Sequence, residues 1–390
     1  MLSPSPLTRV IALILLIVVT TSGTMVIAQA DKKNWERKAN MITKRSDLSA
    51  QTIGNLIYLT GGCVSSQSIA KDSSCPSITN TMEIYNPTTN TFSSGPVMPR
   101  ARYRHTTVAV AQRYMFVIGG RDLQDNIIQP VDIFDTVTSK WTTHPNASLT
   151  SECCSDSIAF VLKDTATGLD NIYLPGGYFA NYSASNEVLI LKTRNTNNEG
   201  TFQRGLVSNI NTKRGDSMTL TYNNRGYVIG GFLEGDFCNP TGIVEMYDPS
   251  QNKWTTQKPL AHARGDGAAI MIDANLFVLG GETKDKSCNF SVPVADVEKF
   301  DLRTSSWSDF VSLPTVRFRQ TGEIFGEVMY VFGGQIENST AKEYTVLDWV
   351  YAFNFTNVTY ARVSQANVAT PFWWCVFTLL LCVMVSLLGF

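Results

Sequence analysis

The stretch from His262 to Glu282 reads HARGDGAAIMIDANLFVLGGE. Its second half is an apolar run ending in Gly280-Gly281, and that ending recurs along the chain. The other copies are IYLTGG (Gly61-Gly62), MFVIGG (Gly119-Gly120), IYLPGG (Gly176-Gly177), YVIGG (Gly230-Gly231) and MYVFGG (Gly333-Gly334). Successive first glycines are 58, 57, 54, 50 and 53 residues apart. A second set of marks keeps step: MEIYN, VDIFD, VLILK, VEMYD, VEKFD and VYAFN follow the glycine pairs in order. Seven residues after the fourth position of these segments stands an aromatic in five units: Phe92, Trp141, Trp254, Trp307 and Tyr360. The third unit is irregular and uses Phe202.

Each unit therefore holds four short runs rich in Val, Ile, Tyr and Phe, bounded by Gly, Asn and Asp, which are strand signals. Strand a is short and apolar, strand b ends in Gly-Gly, strand c carries the aromatic and often an Asp, and strand d carries the Trp. No stretch between the two ends keeps a helical apolar period. Four strands repeating at a period near ~50 residues predict a propeller.

The glycine pair, the aromatic with its Asp and the Trp at fixed offset, six times in register, resemble kelch repeats over roughly Asn34 to Val363. The resemblance implies an all-β, six-bladed kelch β-propeller with four antiparallel strands per blade, akin to the central domain of galactose oxidase. One feature predicts how the ring closes. Trp35 precedes Arg45 by ten residues, as Trp254 precedes Arg264 and Trp307 precedes Arg317. The segment Asn34 to Thr43 thus reads as a strand d without its own a, b and c, completing the sixth blade. Tyr360 offers a competing strand d.

The ends carry targeting signals. Arg9, the apolar run Val10 to Val19 and Ala28-Gln29-Ala30 read as a secretory signal peptide over residues 1–30. The propeller then occupies 31–363. Residues 371–390 form an uncharged hydrophobic tail, read either as a transmembrane helix or as a GPI-attachment signal, with 364–370 as linker or attachment region. The expected location is the extracellular side of the cell surface, anchored to the membrane. Six sequons are candidate glycosylation sites: Asn146, Asn181, Asn289, Asn338, Asn354 and Asn357. They are expected on loops and outer strands, leaving the channel mouth unshielded. Of the eight cysteines, six lie before the tail, and an even number in an oxidising compartment predicts disulfides. Spacing favours Cys63–Cys75 within one b–c loop and Cys238–Cys288 between equivalent loops of blades 4 and 5. That leaves Cys153 and Cys154 as a vicinal pair or as thiols.

The tripeptide Arg264-Gly265-Asp266, with its copy Arg214-Gly215-Asp216, is a motif that integrins read in other proteins. Here it has another explanation. Arg45-Ser46-Asp47 stands at the same place, and all three Asp lie fourteen residues before the glycine pair. His105, near Arg102, takes that place in the second unit, Arg317 and Arg319 occupy it in the sixth, and Asp156 follows Cys154 in the third. The tripeptide is thus a register mark at the start of strand a, and integrin binding is not expected. Residues two apart on an extended strand share a side, so Arg and Asp are expected together in a ring at the channel mouth. Arg102 and Arg317, with no Asp two positions on, are expected to be the freer donors for a polar ligand such as a carboxylate or sugar.

The net charge of −1 and 17% charged residues give no sign of a nucleic-acid partner. No cofactor, metal site or catalytic residue is expected. The three histidines, His105, His144 and His262, are scattered through the predicted ring and poorly suited to the copper site of a galactose-oxidase-like radical enzyme. A sugar epimerase or mutarotase, which needs only acids, bases and Arg at the mouth, is the alternative to a non-enzymatic module that binds a protein or glycan.

Overall fold

The computed structural model describes residues 35–69, 75–149, 153–193 and 202–355. The signal segment 1–30, the linker 364–370, the tail 371–390, Asn357 and Tyr360 lie outside these residues.

Six four-stranded antiparallel sheets follow one another along the chain. From the inner strand a outward, blade 1 consists of Ser49–Ile53, Leu56–Thr60, Met82–Asn86 and Thr91–Ser94. Blade 2 is Thr106–Val110, Tyr114–Ile118, Pro130–Asp135 and Lys140–Ser148. Blade 3 is Phe160–Lys163, Asp170–Pro175, Val188–Lys192 and Phe202–Gln203. Blade 4 is Met218–Tyr222, Arg225–Ile229, Val244–Asp248 and Lys253–Gln257. Blade 5 is Ala268–Ile272, Asn275–Leu279, Val297–Asp301 and Ser306–Phe310. Blade 6 is Thr321–Phe325, Val328–Phe332 and Val350–Asn354, and its fourth strand is Trp35–Arg37 from the N-terminal end.

The N-terminal strand thus closes the ring, with Trp35 opposite Phe353. Trp35 Nε1 donates to Val311 O at 3.2 Å, as Trp254 and Trp307 donate to the backbone carbonyls of Ser208 and Lys258. The ten-residue interval was therefore a structural equivalence. Inner strands touch their neighbours in order around the ring, and Thr321–Phe325 returns to Ser49–Ile53. Between blades 6 and 1 lie Met41, Leu48, Ile57, Tyr85, Tyr330 and Phe332, all buried. A closed ring leaves the sheets no long free edge.

The glycine pairs are the joints between blades. The first glycine of each pair has positive φ, and a Cβ at Gly280 would stand 2.9 Å from Arg317 O of the next blade. The second donates its N–H across the same joint. Gly62 reaches Arg102 O at 2.8 Å, Gly120 reaches Cys154 O at 3.1 Å, and Gly177 reaches Arg214 O at 3.0 Å. Gly231 reaches Arg264 O at 2.9 Å, Gly281 reaches Arg317 O at 2.9 Å, and Gly334 closes the circle on Arg45 O at 3.0 Å.

Both favoured disulfides are present, Cys63–Cys75 with Cα atoms 5.7 Å apart and Cys238–Cys288 with 5.1 Å. Cys154 is also disulfide-bonded. Asn181 and Asn289 are exposed in b–c loops, and Asn338 ends a hairpin strand in the corresponding loop of blade 6. Asn146 lies in the outer strand of blade 2, and Asn354 ends strand c of blade 6.

Candidate functional site

Each blade begins with a triplet whose third residue has a left-handed backbone. These residues are Asp47 (φ 52°), Arg104 (56°), Asp156 (48°), Asp216 (53°), Asp266 (52°) and Arg319 (56°). Alternation of side chains belongs to extended strands, and one left-handed residue breaks it. The first and third side chains of each triplet therefore part company, and the expected mixed ring of Arg45, Arg102, Arg214, Arg264 and Arg317 with the Asp residues does not form.

The first residues turn into the gaps between sheets, where Arg45, Arg102, Arg214, Arg264 and Arg317 are at most 1% exposed. Each of the first four meets an acid at the second position of the segments MEIYN, VDIFD, VEMYD and VEKFD. Arg45 Nη2 lies 2.5 Å from Glu83, Arg102 Nη2 lies 2.5 Å from Asp132, and Arg214 Nη2 lies 2.8 Å from Glu245. Arg264 pairs with Glu298. Arg317, facing Tyr351 in VYAFN, donates to Gly333 O at 3.2 Å and lies 5.0 Å from the Tyr351 ring centroid. Arg102 and Arg317 are thus not freer donors. The acids recur in MEIYN, VDIFD, VEMYD and VEKFD in four of the five units whose triplet opens with Arg, the sixth carrying Tyr351 instead, so the signal stood in the sequence. The third unit lacks both, with Leu189 and Cys154 in the two places.

The third residues meet on the axis. Backbone bonds link them: Arg104 N to Asp47 O at 3.0 Å, Asp156 N to Arg104 O at 3.1 Å, and Asp266 N to Asp216 O at 2.9 Å. Arg319 N reaches Asp266 O at 2.8 Å and Asp47 N reaches Arg319 O at 2.9 Å. Counting back from the glycines placed His105 in this ring, but Arg104 holds the position. The a–b hairpin of blade 2 has three turn residues, Ala111, Gln112 and Arg113, where blades 1, 4, 5 and 6 have two. His105 instead bonds Thr60 Oγ1 at 2.9 Å, and burial, with Arg102 and Arg45 nearby, holds its imidazole neutral, well below its usual pKa.

Arg214 and Arg264 are 1% exposed, and each Gly lies under an aromatic ring of the preceding blade. A Cβ at Gly265 would meet the Phe232 ring at 2.6 Å, and Tyr178 covers Gly215 in the same way. Neither copy is displayed.

The ring divides the axial space. On one side, the inner strands line a channel of about 1290 Å³ that includes Glu323. On the other opens a mouth cavity of about 490 Å³, walled by the b–c loops of blades 2 to 5 and floored by Arg104, Asp216 and Arg319. Tyr182 and Phe237 stand at this mouth, 36% and 43% exposed, with Leu123 and Phe290 exposed on neighbouring b–c loops. Tyr178 packs 5.8 Å from Phe237, and its hydroxyl donates to Asp216 Oδ2 at 2.9 Å. The Tyr182 hydroxyl donates to Asp125 Oδ2 at 2.5 Å, and Arg121 Cζ lies 3.8 Å from its ring centroid. Glu282 and Lys284 complete the wall. Apart from Asp216 and Arg319, none of these mouth residues was singled out from the sequence. Their signal is the short segment after each glycine pair, GGYF, GGF and GGE, which varies while the framework repeats.

Burial, reinforced by neighbouring carboxylates, raises three of the ring acids. Asp266 is pushed up to about 7, and Asp216 and Asp156 are also raised. His144 and His262 lie away from the axis, on the outer strand of blade 2 and the exposed loop before blade 5. Among the described residues, no three His, Cys, Asp or Glu side chains gather as a metal ion would require.

Compared with known proteins, residues 79–292 match the Attractin/LZTR1 β-propeller family, and residues 44–99 match the kelch motif. The chain is 25% identical over 303 residues to Kelch-like protein terF of Aspergillus terreus, covering 76% of this chain and 62% of that protein. It is 25% identical over 272 residues to Kelch-like protein 23 of Homo sapiens, covering 70% of this chain and 42% of that protein. It therefore spans less than two thirds of the length of these relatives. The solved structure of YjhT superimposes with a TM-score of 0.62 at 12% identity, over 79% of this chain and 95% of that one, which shows a shared fold.

Proposed function

The chain belongs to the Attractin/LZTR1 β-propeller family, and from that premise we propose that it is an extracellular, membrane-anchored binding or adhesion module that holds a protein or glycan ligand at the channel mouth. The observation that carries the reading is the mouth cavity itself. Four b–c loops bring exposed aromatic side chains and buried polar groups to one concave site, the composition of a ligand pocket. The loops differ from blade to blade on a repeating frame, where specificity is expected to reside. The disulfides Cys63–Cys75 and Cys238–Cys288 support an oxidising compartment, and the signal-like N-terminus and hydrophobic tail support surface display.

Display of the full chain on eukaryotic cells, probed with a glycan array and with soluble cell-surface proteins, tests the reading. Binding should fall at least tenfold when Tyr182 and Phe237 are both replaced by Ala. Binding that survives this double replacement in a folded protein places the ligand elsewhere.

A specific observation also supports a second reading. Burial pushes the Asp266 carboxyl up to about 7, the range of a general acid or base, so epimerase or mutarotase chemistry on a sugar at the ring is the alternative. Proton-exchange NMR on free monosaccharides tests it, and no acceleration above buffer removes it.

A further inference from the structure

The axial ring holds four aspartates and two arginines, and the cations are unevenly shared. Arg104 Nε lies 3.7 Å from Asp47 Oδ1 and 3.5 Å from Asp156 Oδ1. Arg319 Nε lies 3.6 Å from Asp47 Oδ1 and 3.1 Å from Asp266 Oδ2. Asp47 thus meets both guanidinium groups. Asp216 has no ion-pair partner among the described residues, and its carboxylate takes a hydrogen bond from the Tyr178 hydroxyl. Asp156 has a side chain 7% exposed, and its Oδ2 accepts no hydrogen bond from any described residue. On the adjoining wall Glu282, with a side chain 3% exposed, meets Lys284 at 3.2 Å through Oε1, while its Oε2 also accepts none. The arc of blades 3 to 5 is therefore rich in buried acid oxygens and short of donors.

Aromatic rings stand over that arc. Cations already rest on two of them, Arg121 on Tyr182 and Lys284 at 5.5 Å from the Phe232 centroid. Arg104 and Arg319 stand on the blade 2 and blade 6 sides of the floor, whereas on the blade 4 and 5 side Asp216 and Glu282 lie beneath aromatic walls, an arrangement that recognises an ammonium or guanidinium head group. An anionic ligand would meet this arc unfavourably.

We propose that the mouth cavity takes an exposed lysine or arginine side chain of a protein ligand, its charged head against Asp216 and Glu282 and its aliphatic stem against Tyr178 and Phe237. Asp156 lies deeper, in the constriction that shares Arg104, Asp216 and Arg319 with the mouth. The raised Asp216 carboxyl agrees with this shortage of positive charge, and burial is its first cause. A bound cation lowers that pKa again, so whatever proton the carboxyl carries leaves on binding. The proposal rests on the reading that the mouth is the binding site, and it fixes the sign of the ligand.

The test is calorimetric titration of the full chain with Nα-acetyl-lysine amide and Nα-acetyl-arginine amide, in two buffers of different ionisation heat. Norleucine and glutamate analogues and methyl glucoside serve as comparisons. The basic probes should bind at least tenfold more tightly than the others, with heats that depend on the buffer, and Asp216→Asn should weaken them about tenfold or more. The proposal is overturned if the basic probes bind no better than norleucine or the sugar, or equally well to a folded Asp216→Asn protein. The partner itself separates the two readings. Loss of cell-surface binding in the Tyr182/Phe237 double variant but not in Asp216→Asn leaves the mouth as the site and removes the cation. Binding that survives both variants removes both readings.

Discussion

Arg214 Nη2 lies 2.8 Å from Glu245 Oε2, and both side chains are sealed from solvent. The pair spans from the start of blade 4 to its own strand c, and Arg214 also donates to Ile243 O at 3.0 Å. Two charges in such a place are costly to desolvate, and removing one partner leaves the other stranded. Arg214→Ala is therefore expected to cost about 3–5 kcal/mol. Replacing both, Arg214→Met with Glu245→Leu, should recover most of that loss, because no buried charge remains. Urea unfolding of the three proteins decides the matter. A double variant as unstable as Arg214→Ala would show that packing, and not the stranded carboxylate, sets the cost.

The closing strand makes a sharper demand. Trp35 packs 5.3 Å from the Phe353 ring, edge to face, and is 7% exposed. Trp35→Ala should lower stability by about 3–5 kcal/mol, as for other large aromatic truncations. A chain beginning at Met41 should lose the fourth strand of blade 6, expose the edge of Val350–Asn354 and self-associate. Thermal unfolding with light scattering checks both. A truncated chain that stays monomeric with an unchanged midpoint would show that another segment fills the place.

These two cases show what the sequence disclosed. The six blades and the closing strand were legible because both rest on repetition: six glycine pairs and a Trp-to-Arg interval survive in one dimension. The ring was half legible. Asp47, Asp216, Asp266 and Arg319 were found by register, but a one-residue difference in a hairpin put His105 where Arg104 stands. Left-handed φ at the third position, invisible in residue identity, sent the arginines away from the mouth. The mouth aromatics escaped because they sit where the repeat varies, and a pattern search discards what does not recur.

Asp216 and Asp266 link the ring to pH. Burial raises both carboxyls in the folded chain, Asp266 to about 7, whereas in the unfolded chain they titrate near ~4. Between the unfolded and folded values the folded state holds more protons, so stability falls as pH rises from about 4, for Asp266 through about 7, and Asp216 acts in the same sense. Glu323, raised by burial to about 7, contributes in the same sense. Asp216→Asn, which keeps the shape without the charge, should raise the melting temperature at pH 8 and leave it little changed at pH 4.5. Melting curves between those values check it, and equal shifts at both ends would show that the carboxyl does not titrate with folding.

The Cys238–Cys288 bridge joins the b–c loops of blades 4 and 5 across a sequence separation of 50 residues. Phe237 is its neighbour, so the bridge helps hold a mouth residue. Replacing both cysteines by Ser should cost about 4 kcal/mol in the chain-entropy account. It should also weaken ligand binding at temperatures where the protein remains folded. Unchanged affinity with a lowered midpoint would confine the bridge to stability.

Among the described residues, Asn181 is a sequon that stands at the mouth rim, against the expectation of an open mouth. It precedes Tyr182 directly, and its Oδ1 accepts from Ser183 N at 3.0 Å and from Ser183 Oγ at 2.7 Å. Tyr182 lines the cavity and bonds Asp125 across the gap between blades 2 and 3. A glycan on Asn181 therefore starts at the rim, one residue from the ring that a ligand would touch. Asn181→Gln should raise the affinity for a large protein partner several-fold and leave binding of a small amine probe nearly unchanged, because only the bulky ligand meets the sugar. Asn289→Gln is the control for a sequon on another exposed loop. Titrations with material from a glycosylating host, its occupancy mapped by mass spectrometry, check the comparison. If Asn181 is occupied and its removal leaves partner affinity unaltered, the partner approaches from the blade 4 and 5 side of the mouth.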